Sequence, residues 1–140
     1  QAAADALCAA ERKHEPMDPI SVTWPEADVE DAYRISMLVT EAKVADGREV
    51  KGHKIGLTSK AMRSLTGATE PDYGTLFDDW FVGEGTIVPM SRMNRPLVEV
   101  EIAFVMGQTL RGPYANAVDV IRATDFVLPA IEIVDSRIAW

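Results

Sequence analysis

The sequence predicts an α+β chain, with helices at the N-terminus and strands over most of the remainder. Three observations carry this expectation. The opening is Ala-rich, apolar residues recur at helical spacing from Val29 to Val44, and the runs 97–105 and 126–135 are dense in β-branched residues that suit a pleated surface. At 140 residues, one domain with one sizeable core is expected. Its helical part is read as 1–47 and its β-rich part as 48–140.

From Gln1 to about His14, Ala with Glu, Arg and Lys favours a helix, which Pro16 and Pro19 end. After Trp24-Pro25, Asp28 is placed to cap a second helix, with Asp31 in its first turn and Gly47 closing it. Both helices read as packing elements. Arg48 to Ile55 reads as a short strand, followed by Gly56-Leu57-Thr58-Ser59 and a helical turn from Lys60 to Leu65. Thr58 or Ser59 suits the cap of that turn, where backbone N–H groups can meet an anion, so Lys54 and Lys60 flank a candidate carboxylate-binding corner. Solvated lysines are the plain alternative. Strand parity sends His53 and Lys54 to opposite faces.

Residues 66–85 read as a long loop, marked by Thr66-Gly67, Glu70-Pro71-Asp72-Tyr73-Gly74 and Gly83-Glu84-Gly85. Within it, Asp78 and Asp79 lie among Phe77, Trp80 and Phe81. Such a pair can supply a perturbed carboxylate for general acid or base work, and an aromatic-anchored loop with surface aspartates explains them equally well. Thr86 to Pro89 is expected as a short strand. Arg111-Gly112-Pro113 turns the chain, and Asn116 caps a helix running to about Thr124.

A net charge of -8 disfavours nucleic acid or an anionic membrane as partner. The single cysteine, Cys8, has no intrachain partner and reads as a small helix residue. No long apolar span or cleavable signal is visible, so a reducing cytoplasm is the expected compartment. The sequence starts at Gln1 rather than Met and stops a few residues after the last strand, so a fragment is expected.

The chemistry concentrates in three carboxylates. In Leu97-Val98-Glu99-Val100-Glu101-Ile102, alternation puts Glu99 and Glu101 on one face and the apolar residues on the other. Glu132 likewise interrupts the apolar run Phe126–Val134. A solvated sheet face would account for Glu-Val-Glu alone. Three acids set in two buried strands, however, repel one another and lose hydration unless a cation cancels them. With no His or Cys beside them, the oxygen donors suit a hard ion, Mg²⁺ or Mn²⁺, rather than zinc.

Four ordered motifs strengthen that reading. They are Gly52-His53-Lys54-Ile55-Gly56-Leu57-Thr58-Ser59-Lys60, then Glu70-Pro71-Asp72-Tyr73-Gly74 with Leu76-Phe77-Asp78-Asp79, then Val98-Glu99-Val100-Glu101, and finally Pro129-Ala130-Ile131-Glu132-Ile133-Val134-Asp135. Together they resemble the 2-oxo-alkenoate hydratases of aromatic meta-cleavage pathways, within the fumarylacetoacetate-hydrolase-like superfamily. The resemblance implies N-terminal helices plus part of that superfamily's mixed β-sandwich or roll, with the C-terminal half absent and 48–140 the first part of the catalytic domain. It implies Glu99, Glu101 and Glu132 as metal ligands, Lys60, Asp79 and Lys54 as proton-transfer groups, and Thr58, Ser59 and Asp78 as substrate contacts. The implied reaction adds water to a 2-oxo-alkenoate such as 2-oxohept-4-ene-1,7-dioate. Decarboxylation or C–C hydrolysis of a 2-oxo acid, or a non-catalytic role, are the alternatives. A homo-oligomer, or a complex with a related decarboxylase, is the implied assembly.

Overall fold

The computed structural model describes residues 1–139 as two compact units, each built around one two-stranded antiparallel ribbon. The first comprises Gln1–Arg92 and the segment from Arg137; the second is Met93–Ser136. The expected α+β composition is what is found, and among the described residues no helix is long and apolar enough to cross a membrane.

In the first unit, helix α1 (Ala2–Lys13) ends on His14, which turns into the left-handed region, and buries Ala3, Ala4 and Ala10. Their small side chains let α1 lie close to its neighbour. A single turn, α2 (Ile20–Thr23), precedes α3 (Val29–Ala45). Asp28 caps α3 as expected: its carboxylate accepts the Asp31 N–H, and Asp31 returns the bond to the Asp28 N–H. Helix α3 packs against α1 and also lies on the ribbon of β1 (Val50–Gly56) and β2 (Asp72–Phe77). Tyr33 of α3 stacks on Tyr73 at 4.8 Å between ring centroids, and Thr40 donates to Thr75 at 3.4 Å. Phe77, on the same face of β2, is 2% exposed and meets the edge of Trp80. Helix α4 (Lys60–Thr66) connects β1 to β2, capped by Ser59 and closed by Gly67 at φ 77°.

Strand β2 corrects the expectation of a loop over 66–85. Asp72 and Gly74 look like turn residues in sequence, yet Gly74 pairs with Lys54, and a Cβ there would sit 3.2 Å from Lys54 Cγ. Glycine is thus explained by the Lys54 stem lying across the strand. Thr86–Pro89, expected as a strand, has no ladder partner among the described residues and is irregular. Backbone pairing, which local propensity cannot report, decides both cases.

In the second unit, β3 (Leu97–Met106) pairs with β4 (Thr124–Val134) along almost its whole length. Helix α5 (Ala117–Ala123), capped by Asn116, returns the chain between them. The Ala123 carbonyl accepts from the N–H groups of Gly107 at 2.8 Å and Gln108 at 3.2 Å, closing that end of the ribbon. β3 is not the buried strand its composition suggests. Val98, Val100 and Ile102, on the face opposite the glutamates, are 69%, 86% and 66% exposed, because the second unit by itself has no second layer on that face.

Candidate metal centre and its surroundings

Register assembles the acidic triad. Glu99 stands directly across from Glu132, and Glu101 stands across from Ala130, so alternation brings all three carboxylates to one face of the ribbon. One oxygen from each lies within 4.8 Å of the others. Glu99 is exposed and Glu132 half-buried. Three oxygen donors brought this close are a candidate donor set for a hard divalent cation, which prefers oxygen ligands.

The remaining candidate residues lie in the first unit, on separate elements. Lys54 is in mid-β1, on the face away from His53, Tyr73 and Phe77. Ser59 is committed to the cap of α4, accepting from the Met62 N–H at 3.1 Å, and Lys60 is the first residue of that helix. Thr58 lies in a corner where Leu57 adopts φ 53°, a conformation an ordinary side chain rarely takes. Arg63 holds that corner by donating to the Leu57 and Thr58 carbonyls, each at 2.7 Å.

Asp78 and Asp79 occupy a single 3₁₀ turn, and the two residues just before β1 take hold of both. Asp78 exchanges two hydrogen bonds with Glu49: the Glu49 N–H donates to its carboxylate at 2.9 Å, and its own N–H donates to the Glu49 carbonyl at 2.9 Å. The first of these bonds holds the Asp78 carboxyl below the ordinary carboxylate range. Asp79 pairs with Arg48 Nε at 3.3 Å.

Arg48 also reaches Glu11 of α1, at 3.4 Å, where a cluster of charges meets. Lys43 of α3, only 7% exposed, donates to Glu11, and Arg137 approaches the other Glu11 oxygen at 3.4 Å. Lys43 lies over the Phe77 and Trp80 rings, and Arg137 over Trp80 at 5.5 Å. Burial pushes the Glu11 carboxyl up, but the Lys43 hydrogen bond and the charges of Arg137, Lys43 and Arg48 outweigh it and hold it below its usual range. Sequence reasoning missed Glu11, Arg48, Arg63 and Arg137 because each acts through contacts made only in the folded chain.

Fold and acidic site together define a class. The chain superposes with TM-score 0.93 and 35% identity on 4-oxalocrotonate decarboxylase from Pseudomonas putida G7, solved in complex with magnesium and adipate, over 98% of this chain and 52% of that one. A second structure of that decarboxylase, with calcium and acetate, matches equally well. This is the fumarylacetoacetate-hydrolase-like fold. By sequence, the chain is homologous to the 2-oxo-alkenoate hydratases. It is 47% identical over 134 residues to 2-oxo-hept-4-ene-1,7-dioate hydratase of Escherichia coli, covering 96% of this chain and 50% of the relative. It is 42% identical over 137 residues to 2-keto-4-pentenoate hydratase of Paraburkholderia xenovorans (strain LB400), covering 98% and 51%. The chain therefore spans about half the length of these curated relatives. No family model matches the sequence.

Proposed function

We propose that this chain is part of a divalent-metal-dependent hydratase that adds water to a 2-oxo-alkenoate and yields a 4-hydroxy-2-oxo acid. The observation that carries the proposal is the Glu99, Glu101 and Glu132 donor set within 4.8 Å, in a chain 47% identical to a hydratase of a 2-oxo-alkenoate. The favoured substrate is 2-oxohept-4-ene-1,7-dioate, supported by that relative's name. Magnesium or manganese is the favoured ion, supported by the oxygen donors and by the magnesium complex of the structural neighbour.

When bound by the three glutamates, the cation supplies Lewis acidity toward the carboxylate and 2-oxo oxygens of the substrate. Lys60 or Asp79 takes the proton from the 2-hydroxy-diene form and returns one to the far alkene carbon, leaving the double bond conjugated with the keto group. Water then adds at the carbon β to that keto group, and a proton delivered to the neighbouring carbon completes the product. Lys54 and the Thr58–Ser59 corner are proposed to bind substrate carboxylate, and Asp78 to contact the substrate. The catalytic domain is proposed to continue into further polypeptide that completes a β-sandwich, and the whole protein to be a homo-oligomer, alone or with a related decarboxylase. Decarboxylation is the second reading, favoured by the structural neighbour.

The test is turnover of the 2-hydroxy-dienoate and, in parallel, of 4-oxalocrotonate by the purified protein with Mg²⁺, following loss of dienol absorbance and release of CO₂. Hydration without CO₂ supports the first reading, CO₂ release replaces it with the second, and neither in the metal-loaded protein refutes both. For the base, Lys60→Ala is expected to lower the rate and remove one limb of the pH–rate profile. An unchanged rate and profile would take Lys60 out of the mechanism.

A further inference from the structure

Strand β3 cannot begin its ladder in the ordinary way, because Pro96, immediately before it, has no N–H. The two residues before Pro96 keep theirs, and Asp135, the residue just after β4, takes both. The Arg95 N–H donates to Asp135 Oδ1 at 2.7 Å, and the Asn94 N–H is shared between Oδ1 at 3.1 Å and Oδ2 at 3.0 Å. Asn94 in turn donates its side-chain amide to the Ser136 carbonyl at 2.9 Å. Asn94 and Asp135 are half-buried, so water competes for these bonds less than it would on an open surface.

This clamp closes the open end of the ribbon, opposite the end that the Ala123 carbonyl closes. Inside it come the pairs Leu97–Val134 and Val98–Ile133, and then Glu99–Glu132. A two-stranded ribbon frays from its open end, and carboxylates directly across from one another drive the strands apart. The acidic pair therefore lies where the ribbon is weakest, two pairs in from the clamp.

We infer that Asp135 is a positioning residue of the metal centre: by holding the Asn94 and Arg95 N–H groups it keeps Glu99 opposite Glu132 and the three-carboxylate donor set assembled. The inference rests on the metal reading proposed above. Asp135 acts through the backbone: it lies outside the three-carboxylate group, and both of its oxygens accept from main-chain donors at the end of the ribbon. An asparagine keeps one carbonyl oxygen, and Oδ1 already accepts from both N–H groups, so Asp135→Asn retains most of the clamp while Asp135→Ala loses it.

The experiment is Mn²⁺ titration of the purified wild-type, Asp135→Ala and Asp135→Asn proteins by electron paramagnetic resonance, paired with amide hydrogen exchange in EDTA. Asp135→Ala is expected to weaken Mn²⁺ binding by about tenfold or more, the usual effect of losing a group that orients ligands. It should also speed exchange of the Arg95 and Glu99 amides with no change in the α1 and α3 amides, and Asp135→Asn should recover most of both. Equal Mn²⁺ affinity in wild type and Asp135→Ala overturns the inference while the metal reading stands. Unchanged amide exchange, or a loss in Asp135→Asn as large as in Asp135→Ala, overturns it too. Absence of Mn²⁺ binding in the wild type instead refutes the metal reading, and the inference with it.

Discussion

Glu101→Gln should move two properties in opposite directions, which a solvated acidic face would not do. Without a cation, the three carboxylates within 4.8 Å make three repulsive pairs, each about 0.9 kcal/mol in water by Coulomb's law and about half that at physiological salt. The substitution removes two of them while keeping side-chain shape. The metal-free protein is therefore expected to gain about 1–2 kcal/mol, with the gain collapsing in 1 M salt as the screening length falls to about 3 Å. With Mn²⁺ present the sign reverses, because one of three anionic ligands is lost. Urea unfolding in EDTA at low and high salt gives the first quantity, and Mn²⁺ titration gives the second. A Glu101→Gln protein that is no more stable in EDTA, or that binds Mn²⁺ as tightly as wild type, would refute the argument that these carboxylates are held together at electrostatic cost for a cation.

Two further outcomes concern the first unit. Glu11→Gln leaves buried Lys43 without its carboxylate and is expected to cost about 3–5 kcal/mol in urea unfolding at neutral pH, a loss below about 1 kcal/mol counting against the cluster as a stabilising element. Because the folded Glu11 carboxyl lies below its ordinary value of 4.5, its stabilisation is complete above that value and lost as pH falls through the lower folded one; unfolding midpoints measured downward from pH 6 should show this acid loss in wild type and less of it in Glu11→Gln. Phe77→Ala, at a side chain 2% exposed, should cost about 3–5 kcal/mol by the same assay, and a well-tolerated substitution would mean that the contacts of α3 with β2 do not hold the unit together.

Helices α1, α3 and α5, the capping of α3 by Asp28 and of α5 by Asn116, and the extended runs that become β3 and β4 were all legible in the sequence. Each rests on local signals: propensity, a cap one turn from its target, or alternation along a single strand. That Glu99 and Glu101 share a face follows from alternation alone. That Glu132 joins them does not, because a slip of one residue in register would send it to the opposite face. Only the paired ribbon decides it. Strand β2 was hidden for the same reason, its Gly74 explained by the Lys54 stem on the neighbouring strand and not by a turn. So was the use of Asp135, whose carboxylate meets N–H groups some 40 positions earlier in the chain. The sequence by itself determined the main helices, the two long extended runs and which carboxylates are candidates for a hard cation, because those properties belong to neighbours along the chain. The tertiary structure decided which carboxylates meet, which charges share Glu11 and which residue closes the ribbon, because distances across the chain are set by pairing and packing.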